Sequence, residues 1–165
     1  MNTKDIRLKC KKIKLVITDV DGVLTDGGMY YSEEGEVLKK FNTKDGMGVE
    51  LLHKASIKTI FLTKENSKIV KTRGKKVKAD AVYTNISFKE KELLNICKKF
   101  KITPIQIAYI GDDVNDIKIM NKVGFSACPN DAIKDIKQNS DYISNLCGGN
   151  GVFRDIAELI LKYQH

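Results

Sequence analysis

The sequence predicts an α/β fold, a parallel sheet flanked by helices with one inserted β-hairpin, and two observations lead there. Short β-rich apolar runs alternate along the chain with longer stretches of helical periodicity. Within those runs consecutive residues are apolar, as in strands buried on both faces, and such strands belong to parallel sheets covered by helices. At 165 residues the chain is long enough to bury a real core. It has no repeat, linker or low-complexity segment, so one domain is expected over 1–165.

In chain order, the first strand is read at 13–18 (IKLVIT), where Leu15, Val16 and Ile17 run straight into Asp19. Residues 24–41 (LTDGGMYYSEEGEVLKKF) break the alternation, with two strand-like pieces around the turn signal Ser32-Glu33-Glu34-Gly35. This is the inserted hairpin. Alone it would be marginally stable in water, so its apolar Met29, Tyr30, Tyr31, Val37, Leu38 and Phe41 are expected to pack on another subunit. Helix 46–55, strand 58–63, helix 66–77, strand 80–84 and helix 88–100 follow. Then come strand 107–111, helix 113–122, strand 124–128, helix 131–138, a short strand at 141–143 and a last helix at 152–163.

Composition narrows the function classes. Hydrophobic residues make up 42% and charged residues 30%, the balance of a folded globular chain rather than a disordered one. The net charge of +8 comes mostly from scattered lysines, which fits an anionic small molecule better than a nucleic-acid stripe. Cys10, Cys97, Cys128 and Cys147 have no CxxC spacing, so they read as small hydrophobes rather than zinc ligands. The apolar stretch near the N-terminus is too short for a signal peptide or a membrane span. A cytoplasmic protein with neither nucleic-acid nor membrane partner is expected.

The chemistry gathers where the strands end. Ligands of open parallel sheets bind beyond the carboxyl ends of the strands. There the first strand delivers Asp19 and Asp21, the second Thr63, and the strand at 107–111 delivers Gly111-Asp112-Asp113 with Asp116 one turn on. Lys89 opens the helix after the third strand. Carboxylates this close repel one another unless a cation lies between them. Mg²⁺ suits the set, since it takes oxygen ligands from one or two carboxylates plus phosphate oxygens. A lysine, a hydroxyl and loop amides complete a site for phosphoryl transfer.

These residues resemble the motifs of the haloacid dehalogenase superfamily of phosphatases: DVDGV at 19–23, Thr63, Lys89 and GDDVND at 111–116, in order. More narrowly, DGVLTDG (21–27), KFNTKDGMG (40–48), AYIGDDVND (108–116) and GGNGVFR (148–154) resemble the capless branch acting on 3-deoxy-2-ulosonate phosphates. The resemblance implies a Rossmann-like sheet without a cap domain and an aspartyl-phosphate mechanism. It makes Asp19 the nucleophile and Asp21 the general acid and base. Mg²⁺ would be held by Asp19, the Asp21 backbone carbonyl and Asp112, with Asp113 and Asp116 supporting the metal or Lys89. Thr63 and Lys89 would hold the phosphoryl oxygens. In this branch the hairpin closes a homotetramer whose neighbouring subunits shape the pocket for a sugar-acid phosphate.

The branch includes phosphatases for 3-deoxy-octulosonate 8-phosphate and for ketodeoxynonulosonate or sialic-acid-type 9-phosphates. Here Thr63-Lys64-Glu65 stands where the octulosonate enzymes resemble threonine-glycine-arginine. Glu65, paired with Lys76 on the following helix, favours the nine-carbon acid; the eight-carbon acid is the alternative. Arg73 and Arg154 are candidates for the substrate carboxylate, which arginine can bind in a bidentate fashion. Three other classes compete less well. A signalling receiver domain has no counterpart of GDDVND. A non-catalytic oligomerisation module of a cytidylyltransferase-like system would not need both Asp19 and Asp21. A nucleic-acid 3′-phosphatase would use the charge. GGNGVF lacks the strand-then-helix context of a nucleotide fingerprint, and His53 reads as structural.

Overall fold

The structure is a computed structural model that describes residues 3–164. Its sheet has six parallel strands in the order β5-β4-β1-β6-β7-β8. They are β1 (Leu15–Thr18), β4 (Lys58–Leu62), β5 (Ala81–Tyr83), β6 (Ile107–Ile110), β7 (Phe125–Cys128) and β8 (Tyr142–Ile143). All four residues of β1 are buried, because β4 pairs on one side (Thr18↔Phe61) and β6 on the other (Thr18↔Ile110). The chain leaves β1 toward β4 and β5 and returns on its other side as β6, so the order reverses at β1. A crevice forms beyond the carboxyl ends of the strands at such a switch point.

Each face of the sheet has its own core, set by the period of two along β1. Val16 and Ile110 join Val49 and Leu52 of α2 (Thr43–Lys54) and Phe153, Ile156 and Ile160 of α7 (Val152–Lys162). Leu15 and Ile17 join Leu93 and Ile96 of α4 (Lys89–Phe100) with Ile119, Met120 and Ile136. Each such aliphatic side chain, fully buried, is worth roughly 1.5–3 kcal/mol. The other helices are α1 (Thr3–Cys10), α3 (Lys68–Val77), α5 (Ile117–Met120) and α6 (Lys134–Asn139). The predicted helix 113–122 divides into a 3-10 turn at Val114–Asp116 and the short α5. Helix α1 was not anticipated; its Cys10 is wholly buried in the core of α2 and α7, while polar Lys and Arg mask the pattern. Helix α2 starts three residues earlier than expected because the Asn42 side chain accepts a hydrogen bond from the Lys44 N–H and caps it.

The hairpin is β2 (Tyr30–Ser32) paired antiparallel with β3 (Gly35–Leu38), and Gly35 at φ 116° permits the tight turn. Met29, Tyr30, Tyr31, Val37 and Leu38 are exposed, as the reading of an unpartnered apolar face requires. Phe41 is not: it packs partly buried against the α2–α7 core, with the Arg73 guanidinium over its ring. The cysteines are all free; Cys10 and Cys128 are buried, but Cys147 is exposed, against the expectation of a small core residue.

Candidate active site

The switch point is floored by a buried charge cluster. Beyond β1, the Asp19 N–H donates to the Ile110 carbonyl, which locks the first loop to β6. Lys89, at the first position of α4, sends its fully buried ammonium to Asp19 Oδ1 at 2.8 Å and to Asp116 Oδ1 at 2.7 Å. The Tyr109 hydroxyl donates to the same Asp116 oxygen at 2.6 Å, and the Asp112 N–H donates to Asp116 Oδ2. Asp116 thus spends both oxygens on protein donors and acts as the strut under Lys89. Asp112 differs, since its Oδ1 is buried with no hydrogen-bond partner. Gly22, at φ 86°, lies so close that a Cβ there would fall 2.0 Å from Asp112 Oδ2. Only glycine allows both that backbone and that approach.

Charge bookkeeping shows what the cluster lacks. Three carboxylates, Asp19, Asp112 and Asp116, offer oxygens within 4.8 Å of one another, and Lys89 is the cation among them. Burial pushes the Asp19 and Asp112 carboxyls well above the usual carboxylate range, and the neighbouring carboxylates push them further. A divalent cation between Asp19 and Asp112 would cancel the excess negative charge and occupy the orphaned Asp112 Oδ1. The donor set, all oxygen, suits Mg²⁺. The residues present therefore fit the metal.

A cleft above the floor is lined by Asp19, Asp21, Thr63, Glu65, Asp112 and Asp113. Thr63 is buried, and its hydroxyl oxygen accepts from the Glu65 N–H at 3.1 Å, which leaves the O–H proton to donate into the cleft. Asp113 is exposed, and its Oδ1 caps the 3-10 turn by accepting from the Val114 N–H; it touches neither Lys89 nor Asp19. Of the two expected supports, only Asp116 bears on Lys89.

The expected substrate side chains are spread differently. Glu65 reaches the cleft, but Lys76 lines a separate cavity with Arg73, Thr43 and His53, so no Glu65–Lys76 pair forms within the chain. α3 carries Lys76 two turns away from the loop that presents Glu65. Arg73 donates to the Asn42 carbonyl at 2.8 Å, and the Arg154 guanidinium pairs with Glu158 one turn along α7. Neither arginine lines the cleft of its own chain. His53 pairs with Asp80 at 2.8 Å, in keeping with a structural role.

Lys39 escaped the sequence reading. Its side chain is wholly buried, and its ammonium binds Asp21 Oδ1 at 2.6 Å and Glu36 Oε1. Burial would lower this ammonium, but the adjoining Asp21 and Glu36 carboxylates outweigh it and hold the group raised. Nothing in a chain rich in lysine distinguishes this one; the only cue was its place just past a strand of the hairpin.

Comparison with known proteins then decides the family. Residues 50–156 match the model of the haloacid dehalogenase-like hydrolases. This chain belongs to that family. The haloacid dehalogenase-like hydrolase is 35% identical over 160 residues to the 3-deoxy-D-manno-octulosonate 8-phosphate phosphatase of Escherichia coli strain B/BL21-DE3, covering 97% of this chain and 85% of that protein. Among solved structures it resembles the Moraxella catarrhalis 3-deoxy-D-manno-octulosonate 8-phosphate phosphatase in complex with magnesium, phosphate and KDO. That match has a TM-score of 0.95 and 36% identity over 99% of this chain and 94% of the other. The cobalt-bound Haemophilus influenzae deoxy-D-mannose-octulosonate 8-phosphate phosphatase matches at TM-score 0.92 and 36% identity, covering 94% and 91%. The haloacid dehalogenase-like hydrolase described here is accordingly an enzyme, a phosphoric monoester hydrolase.

Proposed function

We propose that this hydrolase is a Mg²⁺-dependent phosphatase of a 3-deoxy-2-ulosonic acid phosphate, with 3-deoxy-octulosonate 8-phosphate as its substrate. The observation that carries the reading is the buried Asp19–Asp112–Lys89–Asp116 floor with its unpartnered Asp112 Oδ1, placed at the mouth of a cleft. The eight-carbon substrate draws its support from the relatives, whose printed names specify it along nearly the full chain. Bound Mg²⁺, held by Asp19, Asp112 and the Asp21 carbonyl, would neutralise charge on the phosphoryl oxygens.

Asp19, its Oδ1 anchored by Lys89, attacks phosphorus, and the sugar alkoxide leaves as Asp21 gives it a proton. The aspartyl phosphate is then cleaved by water, from which Asp21 takes a proton, releasing phosphate and restoring the Asp19 carboxylate and the protonated Asp21 carboxyl. The Thr63 hydroxyl and Lys89 donate to the phosphoryl oxygens through the reaction. The cation that links Asp19 to Asp116 thus also steadies the transferring group.

A nine-carbon 9-phosphate is the second reading, and the position of Glu65 on the cleft favours it, since an acid there accepts hydrogen bonds from a hydroxyl-rich tail where an arginine would clamp a carboxylate. A phosphate-release panel with Mg²⁺ tests both, comparing octulosonate 8-phosphate, nonulosonate 9-phosphates and a 3′-phosphorylated oligonucleotide. The eight-carbon sugar is expected to give the highest kcat/KM. A nine-carbon preference of tenfold or more transfers the assignment to the second reading, and turnover of the oligonucleotide alone overturns both. The exposed apolar residues of the hairpin support a homotetramer, and the phosphorylated sugar-acid substrate fits a cytoplasmic enzyme. The described residues are read as one domain; none of their helices is long and apolar enough to cross a membrane.

A further inference from the structure

The hairpin has two faces of opposite character. Tyr31 and Leu38 are exposed, whereas Glu36 and Lys39 turn inward to the catalytic loop. Glu36, on β3, accepts from the Ser67 hydroxyl through Oε2 at 2.9 Å and binds the Lys39 ammonium through Oε1. Lys39 in turn binds Asp21 Oδ1 at 2.6 Å. Ser67 stands at the start of α3, so β3 is fastened to the domain at both ends of this chain of contacts. A lysine of zero side-chain exposure on a two-stranded hairpin is costly to bury unless its charge is matched. Here two carboxylates match it, and one of them faces the cleft.

The consequence for Asp21 is geometric. With Oδ1 held by Lys39, the carboxylate cannot rotate freely, and Oδ2 is buried without a hydrogen-bond partner. A carboxyl that must protonate an alkoxide, then deprotonate a water, needs one oxygen presented in a fixed direction.

We propose that Lys39, held by Glu36, is the positioning residue for Asp21: it fixes the orientation of the carboxyl that exchanges protons with substrate and water. This rests on the reading of Asp21 as acid and base. The hairpin thereby belongs to the catalytic machinery of its own subunit, whatever its exposed side binds. Lys39 touches neither Asp19 nor Lys89 among its recorded contacts, so its effect runs through Asp21 alone.

A double-mutant cycle on the full-length enzyme with Mg²⁺ and octulosonate 8-phosphate tests it. Lys39→Met is expected to lower kcat about 10- to 100-fold with KM within about threefold of wild type, and Lys39→Arg to recover part of the loss. In the Asp21→Asn background, adding Lys39→Met should cost less than about threefold more, because there is no acid left to position. Glu36→Gln, which keeps Lys39 in place but loosens its hold, should fall between wild type and Lys39→Met; it serves as the test should Lys39→Met fail to fold. Equal losses from Lys39→Met with and without Asp21, or a loss seen in KM alone, would overturn the proposal while leaving the phosphatase reading intact. An Asp21→Asn enzyme of near wild-type rate would overturn the acid–base reading itself, and this proposal with it.

Discussion

Two buried lysines each grip one aspartate of the first loop, and they reach it from opposite kinds of structure. Lys89 comes from the floor: it opens α4, whose Leu93 and Ile96 are locked in the core, and its partners Asp19 and Asp116 are themselves buried. Lys39 comes from the hairpin, an appendage whose far end is exposed, and its partner Asp21 keeps 26% of its side-chain surface open to the cleft. The contrast suits the roles proposed for Asp19 as nucleophile and Asp21 as acid and base. A nucleophile must stay in one place under a metal and a phosphate, so the rigid core holds it. A proton shuttle must meet both substrate and water, so it stands at the edge, held by a part that can be reached from outside.

Breaking the floor should have the largest effects. Asp19→Asn removes the proposed phosphoryl acceptor, and a loss on the order of 10⁴-fold or more in kcat is expected from steady-state kinetics with the fold retained by circular dichroism. Near-normal turnover would refute the aspartyl-phosphate route. Stripping divalent ions with EDTA should silence the enzyme and added Mg²⁺ restore it, because Asp19, Asp112 and a bound phosphate otherwise bring uncompensated charge together. Full activity in metal-free buffer would count against the site as described.

The lysines themselves sharpen the comparison. Lys89→Met leaves Asp116 buried beside Asp19 without a cation, so stability should drop by about 3–5 kcal/mol, read from urea unfolding. Lys39→Met faces a partly open carboxylate, and its stability loss should be well under half of that. Equal losses would mean that the Lys39 contact is as much core as the floor is. On the exposed side of the hairpin, Leu38→Asp should weaken assembly in analytical ultracentrifugation and lower activity in step; a fully active monomer would separate assembly from the chemistry.

The smallest effect concerns a carboxyl away from both lysines. Asp45 accepts from the Arg154 N–H at the start of α7, and burial pushes it up to about 6 despite that hydrogen bond and the nearby Arg73. A carboxyl raised in the folded state binds its proton more tightly there than in the unfolded chain. Its contribution is therefore favourable in acid and is lost as pH rises from about 4 to about 6. Asp45→Asn should remove about 1–3 kcal/mol of that pH dependence, measured as unfolding free energy at pH 4.5 and 7.5. An unchanged pH slope would contradict it.

Much of this was legible in the residues. Apolar runs on consecutive positions specified the parallel strands, since a strand covered on both faces has no solvent side to record, and the carboxyl-end rule then collected Asp19, Thr63, Lys89 and Asp112 at one edge before any coordinates. Asp, Gly and Thr at strand ends are scarce enough to stand out. Lysine is not scarce here, and that is why Lys39 stayed hidden. Burial of a charge is a property of its surroundings, and Lys39 is defined by Asp21 and Glu36 folding over it, 18 residues apart in sequence in the first case. The same limit separated Glu65 from Lys76, whose helical spacing allowed a pair that the direction of α3 does not make. Sequence determined the strands, their order of chemistry and the family; tertiary structure decided which lysine meets which aspartate, because pairing depends on where side chains converge in space and that is written in no single segment.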